Sequence, residues 1–568
     1  MRLPKFLFAV PLVLALGLSA AGAGAGAEPQ PPEAHGPAVF MPGNLVVART
    51  QFTTVPGMQA GVTQLPPGCA GNNCVTANAG GDYPYVFDNA SVDGSFGVTS
   101  KIFLDQMSPF GHVVSSLEVP NSSEPGVTAT TNQAVTSFSS KSELALNLST
   151  DGRTLTFVGY DAPVDGVDVS NANTPGAADP TNPIPASYYR VVTDVNARGQ
   201  FTYTLTNAFT GDNGRAAILN AEDGVLYAAG NASGSLKPSE NPNAGGVILG
   251  AGAQIMTPQD TPEAQQNPGT PTPVGSFAVT EVGAPKIDKV GKDTNFRGIT
   301  IFNNVLYYTK GSGGKGINSV YFVDTASTGC TTNGGTGLPA AGATLPTSPI
   351  TPSDPAQLLS LGVQPYNMCV LKGFPTVLNS SNSAPLYPFG LWFANSTTLY
   401  IADEGSGDNT YAGGTYTSAA AQTTAGLQKW VLSGGAWHLA YTLTNGLDLG
   451  KPYTVPGYPT GINSVSGLPW APATDGLRQL TGRVLADGTA VIYATTSTVS
   501  GSGDQGADPN KVVAIVDPLR AGTAPASERF VTLRTAQTGD LFRGIAWTPT
   551  GDGHEAPIPH LPPFFSHP

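Results

Sequence analysis

Charge is scarce in this sequence. Only 11% of its 568 residues are Asp, Glu, Lys or Arg. The 26 basic residues form no run, and 39 acidic residues outweigh them to a net charge of −13. A nucleic-acid binder needs a basic stripe to displace phosphate counterions, so that partner class is excluded. Histidine is scarcer still, with six in the chain. His35, His554, His560 and His567 lie near the ends, and His112 and His438 fall at hairpins of outer strands. That distribution argues against a Ser-His-Asp triad, a histidine general base and a histidine-rich zinc site. After the first 27 residues no apolar stretch reaches the roughly 20 residues of a membrane span. The mature chain is therefore expected to be soluble.

What the chain has in excess is backbone punctuation, with 70 Gly and 50 Pro. So many breakers with so little charge exclude coiled coils and helix bundles and favour short strands joined by long turns. Residues 1–27 read as a signal peptide. Arg2 and Lys5 precede an apolar run, Phe6 to Leu18, and the small residues Ser19 to Ala27 offer cleavage sites. The expected location is outside the cell or in a periplasm. Four cysteines, Cys69, Cys74, Cys330 and Cys369, suit disulfides in such a compartment. Of the three pairings, Cys69–Cys74 with Cys330–Cys369 is favoured, because each pair lies within one inserted loop.

A short pattern recurs along the chain: a turn, then a strand of the type Leu-Tyr-x-Ala. The copies start at Leu155, Leu226, Leu306, Leu399 and Val491. Hairpin turns precede them, among them Asn303-Asn304 and Ala486-Asp-Gly-Thr489. Outer strand pairs follow, as in Gln428–Leu432 with Trp437–Leu443. Four antiparallel strands per unit, repeated, predict an all-β fold: a six-bladed β-propeller. Leu541–Trp547 reads as a first strand without a second, and Asn44–Arg49 as a second without a first. Joined in one blade with Thr99–Asp105 and His112–Val119, they would close the ring and remove an exposed edge. The expected layout is a loose segment at 28–43, the propeller at 44–548 with long loops on one face, and a loose tail at 549–568. At about 90 residues per blade, roughly twice the 40–45 of a minimal blade, the surplus sits in loops.

At these strand motifs the chain resembles the six-bladed propeller superfamily, and Leu399-Tyr-Ile-Ala-Asp403 resembles the strand signature of NHL-type and TolB-like propellers. The stretches Ser140–Ser149, Asn295-Phe-Arg-Gly298 and Pro388–Asn395 are similar to a group of secreted microbial proteins with no assigned reaction. The resemblance implies the fold and no particular activity. Calcium-dependent lactonases and esterases, phytases, sialidases and sugar dehydrogenases share the architecture, and none of their catalytic patterns is found.

The candidate site lies where inner strands start, at the funnel mouth. Alignment of those strands places Arg215, Arg297 and Arg543 at one register, with Glu143 and Phe389 there in two other blades. In the sixth blade Arg478 and Arg483 compete. Clustered guanidiniums need an offset, either from carboxylates such as Glu143, Asp403 and Glu404 or from an anionic ligand held bidentately. Lys310, in a glycine-rich stretch, could touch the same anion. A structural alternative has each arginine bridging neighbouring blades. Asp403, Glu404 and Asp408 form an oxygen-rich loop that is a candidate for Ca²⁺, although it lacks the EF-hand spacing. The loops from Asp161 to Asp179 and from Asp504 to Asp508 have the same character. The leading expectation is a secreted module binding a small anionic or polyhydroxylated ligand, or an extracellular polymer or protein. The alternatives are a calcium-assisted hydrolase of phosphate esters or lactones and an extracellular structural or interaction scaffold whose loops contact other proteins.

Overall fold

The computed structural model describes residues 40–52, 62, 64–65, 75–76, 97–127, 133–138, 143–175, 184, 186–231, 252–258, 296–311, 317–325, 336–347, 368–377, 385–464, 466–502 and 506–551. The fold is all-β, six blades arranged as a β-propeller. Blade 1 orders its strands Asp540–Trp547, Leu45–Gln51, Val98–Met107 and Val113–Glu118. Blade 2 runs Asn147–Leu148, Thr154–Tyr160, Arg190–Asn196 and Phe201–Thr206, and blade 3 runs Gly214–Asn220, Val225–Gly230 and Gly252–Met256. Blade 4 is Phe296–Phe302, Val305–Lys310, Ser319–Val323 and Met368–Leu371, with Thr336–Gly337 added in parallel at its edge. Blade 5 is Pro388–Asn395, Thr398–Asp403, Gly426–Ser433 and Ala436–Leu443. Blade 6 is Ala473–Val484, Thr489–Val499, Lys511–Pro518 and Val531–Thr535.

The recurring Leu-Tyr-x-Ala pattern marks the second strand of blades 2 to 6. Val225–Gly230, Val305–Lys310 and Thr398–Asp403 are buried at every position, whereas the outermost strand Val113–Glu118 is buried at none. A strand covered on both faces by neighbouring blades reads as a continuous apolar run, which is why this strand is the one visible in sequence. Asn303 and Asn304 both adopt positive φ, at 48° and 58°, as a two-residue hairpin matched to strand twist requires. In blade 1 the two distant segments pair as expected, Leu45 opposite Trp547 and Gln51 opposite Asp540.

Inner strands meet neighbour to neighbour through backbone. A Cβ on Gly544 would lie 2.1 Å from the Leu144 carbonyl oxygen of blade 2, and one on Gly298 would lie 2.3 Å from the Phe389 oxygen of blade 5. Second-strand threonines reinforce these seams. Thr156 donates to the Ala217 carbonyl at 2.6 Å, Thr495 to that of Arg543 at 2.7 Å, and Thr309 to that of Phe389. Blades 5 and 6 are further locked by a fully buried ion pair, Lys429 Nζ to Asp517 Oδ2 at 2.8 Å, with the Tyr400 and Tyr441 hydroxyls also donating to Asp517.

Three expectations need correction. Phe40, placed by sequence in the loose leader, is buried, and its N–H donates to Ala197 O at 3.1 Å. At the other end Thr550, placed in the loose tail, is also buried and donates from its N–H to Gly152 O at 3.0 Å. The inner strand of blade 2 is only Asn147–Leu148, because Leu144 sits at φ 63° and takes the chain out of the ladder. Cys369 is buried in blade 4, while Cys69, Cys74 and Cys330 lie outside the described residues. Residues 1–39 lie outside them too, and no described helix is long and apolar enough to cross a membrane.

Gly544→Val forces the blade 1–blade 2 seam apart. The expected cost is about 3 kcal/mol, the upper range for overpacking, read as a lowered midpoint in denaturant unfolding, while Gly522→Val, whose position is open, leaves the midpoint unchanged.

Candidate functional site at the hub

Five of the six inner strands carry a β-bulge at the same register. Two residues oppose one in the pairs Arg297-Gly298 against Thr309, Phe389-Gly390 against Ala402, Arg478-Gln479 against Thr495 and Arg543-Gly544 against Ala48. In blade 3 Arg215 is the extra residue between Gly214 and Ala216. A bulge re-aims the side chain it carries. Here it turns Arg215, Arg297, Phe389, Arg478 and Arg543 out of the sheet alternation and into one cluster. The glycine beside three of them admits the next blade's backbone.

The cluster runs as a series of contacts from Arg543 to Arg478. Arg543 Nη2 donates to Ser137 O at 3.1 Å, and the Ser137 N–H donates to Glu143 Oε2 at 2.9 Å. Glu143 also accepts from Thr136 Oγ1 at 2.6 Å, from Asn213 Nδ2 at 3.2 Å and from the Tyr160 hydroxyl. The amide oxygen of Asn213 accepts from Arg215 Nε at 3.0 Å, and Arg215 Nη1 reaches Phe296 O in blade 4 at 3.3 Å. Arg297 Nε donates to Gly311 O at 3.0 Å. Glu404 then serves two guanidiniums, Arg297 at 3.5 Å and Arg478 at 3.4 Å, and both of these lie over the Phe389 ring. None of these residues is more than 5% exposed.

Arg478, not Arg483, is thus the sixth-blade counterpart. The Arg483 guanidinium instead covers the Trp547 ring at 4.0 Å. Burial and the neighbouring Arg297 push Arg215 down to about 9, although Asp212, 3.9 Å away, works the other way. Lys310 is buried at the end of its strand, opposite Phe296.

The acidic trio suggested for Ca²⁺ does not converge. Asp403 turns into its own blade and accepts from Tyr387 N at 2.8 Å, Gly405 N at 3.0 Å and Gln428 Nε2 at 3.0 Å. Glu404 faces the arginines. Asp408 is exposed and caps Thr410, whose N–H and hydroxyl hold its carboxyl below the usual range. Among the described residues no three His, Cys, Asp or Glu side chains group as an ion would need, so the donor set does not fit the metal. The other acidic loops are likewise engaged: Asp508 accepts from Tyr458, Ser500 and Thr498, and Asp168 from Asn171. Asp504 lies outside the described residues.

Sequence reasoning passed over Arg190. It is fully buried and donates to the carbonyls of Tyr188, Ser170, Ala172 and Asp212, tying the loop after Tyr160 to the segment before blade 3. Nothing in its local sequence signals this, since all but one of its partners are distant in the chain.

No family model matches the chain, and no curated protein does. Solved structures similar to it include a protein from Lactobacillus plantarum (10% identity, TM-score 0.28, covering 78% of this chain and 81% of that one). Apo AztD from Citrobacter koseri is another, with 8% identity, TM-score 0.24, and 80% and 98% coverage. A third is CoXyl43, a GH43 β-xylosidase/α-arabinofuranosidase from a compost metagenome, with 10% identity, TM-score 0.28, and 69% and 93% coverage. At such overlap these likenesses carry no functional argument.

Two predictions follow from the hub's electrostatics. Glu404→Gln strands two buried guanidiniums and is expected to cost about 3–5 kcal/mol, measured by denaturant unfolding. Asp403 and Asp475 are both pushed up to about 7 by burial. Each binds its proton more tightly folded than unfolded. Their contribution to stability is therefore complete below pH 3.8 and is lost as the pH rises through about 7. The melting temperature is expected to fall over that interval, and Asp475→Asn to flatten the fall.

Proposed function

We propose that this is an exported binding module that holds a small anion, such as a carboxylate, between the arginines at its hub. The observation that carries the reading is the placing of the Arg215 guanidinium beside that of Arg297, where like charge and burial depress its protonation. An anion in that position offsets the penalty on Arg215 and can accept from each guanidinium in a charge-assisted bond. Four blades contribute an arginine at one bulged register, an arrangement that suits a ligand lying near the axis. The leader-like residues 1–27 support export.

A second reading has its own observation. Every hub arginine already reaches a backbone carbonyl or a carboxylate, which suits a rigid scaffold whose hub only joins blades. Among the described residues no grouping of oxygen donors favours the calcium-assisted hydrolase.

Thermal unfolding in chloride-free buffer separates the two readings. Acetate, citrate, galacturonate, sulfate and phosphate are added in turn. A ligand at 100 times its Kd stabilises by about 2.7 kcal/mol, so at least one is expected to raise the melting temperature, and Arg215→Met to abolish the rise. If none acts, or if Arg215→Met responds like the parent, the anion reading is overturned.

A further inference from the structure

Far from the hub, blades 4 and 5 enclose a pocket of about 390 Å³, within the roughly 300–1,000 Å³ of small-molecule sites. It opens at the turns joining the first and second strands of these blades, Asn303-Asn304 in one and Ser396 in the other. Arg297 and Phe389 lie at the opposite ends of the same strands. Six residues of extended chain put the pocket roughly 20 Å from the hub.

Its walls differ in kind. One is aromatic: Phe302 and Phe393 stack with centroids 4.6 Å apart and planes 7° apart, and Trp437 meets Phe393 edge-on at 5.9 Å. The other wall is the turn at 339–343, built from Pro, Ala and Gly, where a Cβ added to Gly342 would meet nothing within 4 Å. Small side chains facing aromatic rings leave a slot with room for a ring-shaped guest. No lining residue is charged. An ionic guest would therefore lose its hydration without a counter-charge. The rim is polar: Asn303, Asn304 and Ser396 are exposed at the edge, where amide and hydroxyl groups can meet a guest's hydroxyls.

We propose that this pocket binds a neutral sugar residue. The C–H face of the sugar would lie against the aromatic wall, whose ring faces carry partial negative charge, with its hydroxyls at the Asn303, Asn304 and Ser396 rim. The absence of charge excludes uronates and sugar phosphates, and a guest without hydroxyls would leave the rim unused. The site is independent of the hub anion reading.

Calorimetric titration of the whole protein tests this with the methyl glycosides of glucose, galactose and xylose, their neutral disaccharides, and p-nitrophenol as a planar aromatic without a polyol. At least one neutral sugar is expected to bind. Ala341→Trp fills the slot from an exposed position, and Phe302→Ala removes the stacking wall. Each is expected to weaken binding at least tenfold, and Ala341→Trp to do so with an unchanged melting temperature. The proposal is overturned if no neutral sugar binds, if only p-nitrophenol does, or if Ala341→Trp binds the sugar as tightly as the parent.

Discussion

The bulge in the inner strands is the constraint on which the rest depends. A regular strand alternates its side chains between two faces, and in a propeller both faces are covered by neighbouring blades. A side chain can leave that alternation toward the hub only where an extra residue breaks the ladder. The chain places an arginine or a phenylalanine at that break in five blades. The glycine that follows in blades 1, 4 and 5 lets the next blade's backbone approach where a Cβ would collide. One local irregularity thus brings the blades together and also supplies the hub with its side chains.

Burying four guanidiniums in one cluster is costly unless each finds acceptors, since desolvation of an unpaired charge amounts to several kcal/mol. The solution here is shared. Glu404 serves two arginines, Glu143 accepts from four donors, and the carbonyls of Phe296, Gly311 and Ser137 take further guanidinium donors. Arg215, Arg297 and Arg478 therefore bridge blades whatever else they do. Arg215 is the member that burial and the neighbouring Arg297 push down, and that is why it is the focus of the binding reading. A second charged knot, Lys429 with Asp517 and two tyrosines, closes the seam between blades 5 and 6. Polar groups thus supply much of the specificity between blades that alanine and valine alone would leave loosely defined.

The two ends of the inner strands are chemically opposed. The hub end is charged and buried. The far end of blades 4 and 5 holds an uncharged aromatic slot with a polar rim. The same strands build both, because residues before the bulge and residues beyond the hairpin turn answer to different surroundings.

The second strands were legible in the sequence because double-sided burial writes a continuous apolar run, and hairpins such as Asn303-Asn304 announced their positive φ. The pairing of Leu45–Gln51 with Asp540–Trp547 was legible because each fragment lacked its partner. Arg215, Arg297 and Arg543 aligned by register, but the choice of Arg478 over Arg483 was not readable, since it turns on which side of Leu480 the ladder slips. Asp403, Glu404 and Asp408 looked like a ligand set because they are neighbours along the chain, yet each points to a different surrounding. Arg190 and the aromatic slot left no trace, because their partners are mostly remote in sequence. Composition, hydrophobic alternation and turn chemistry, all of which act over a few residues, determined the strands and their grouping into blades. The direction of each buried charge was decided only by the tertiary structure, because it depends on which carbonyls and carboxylates the neighbouring blade brings within hydrogen-bonding reach.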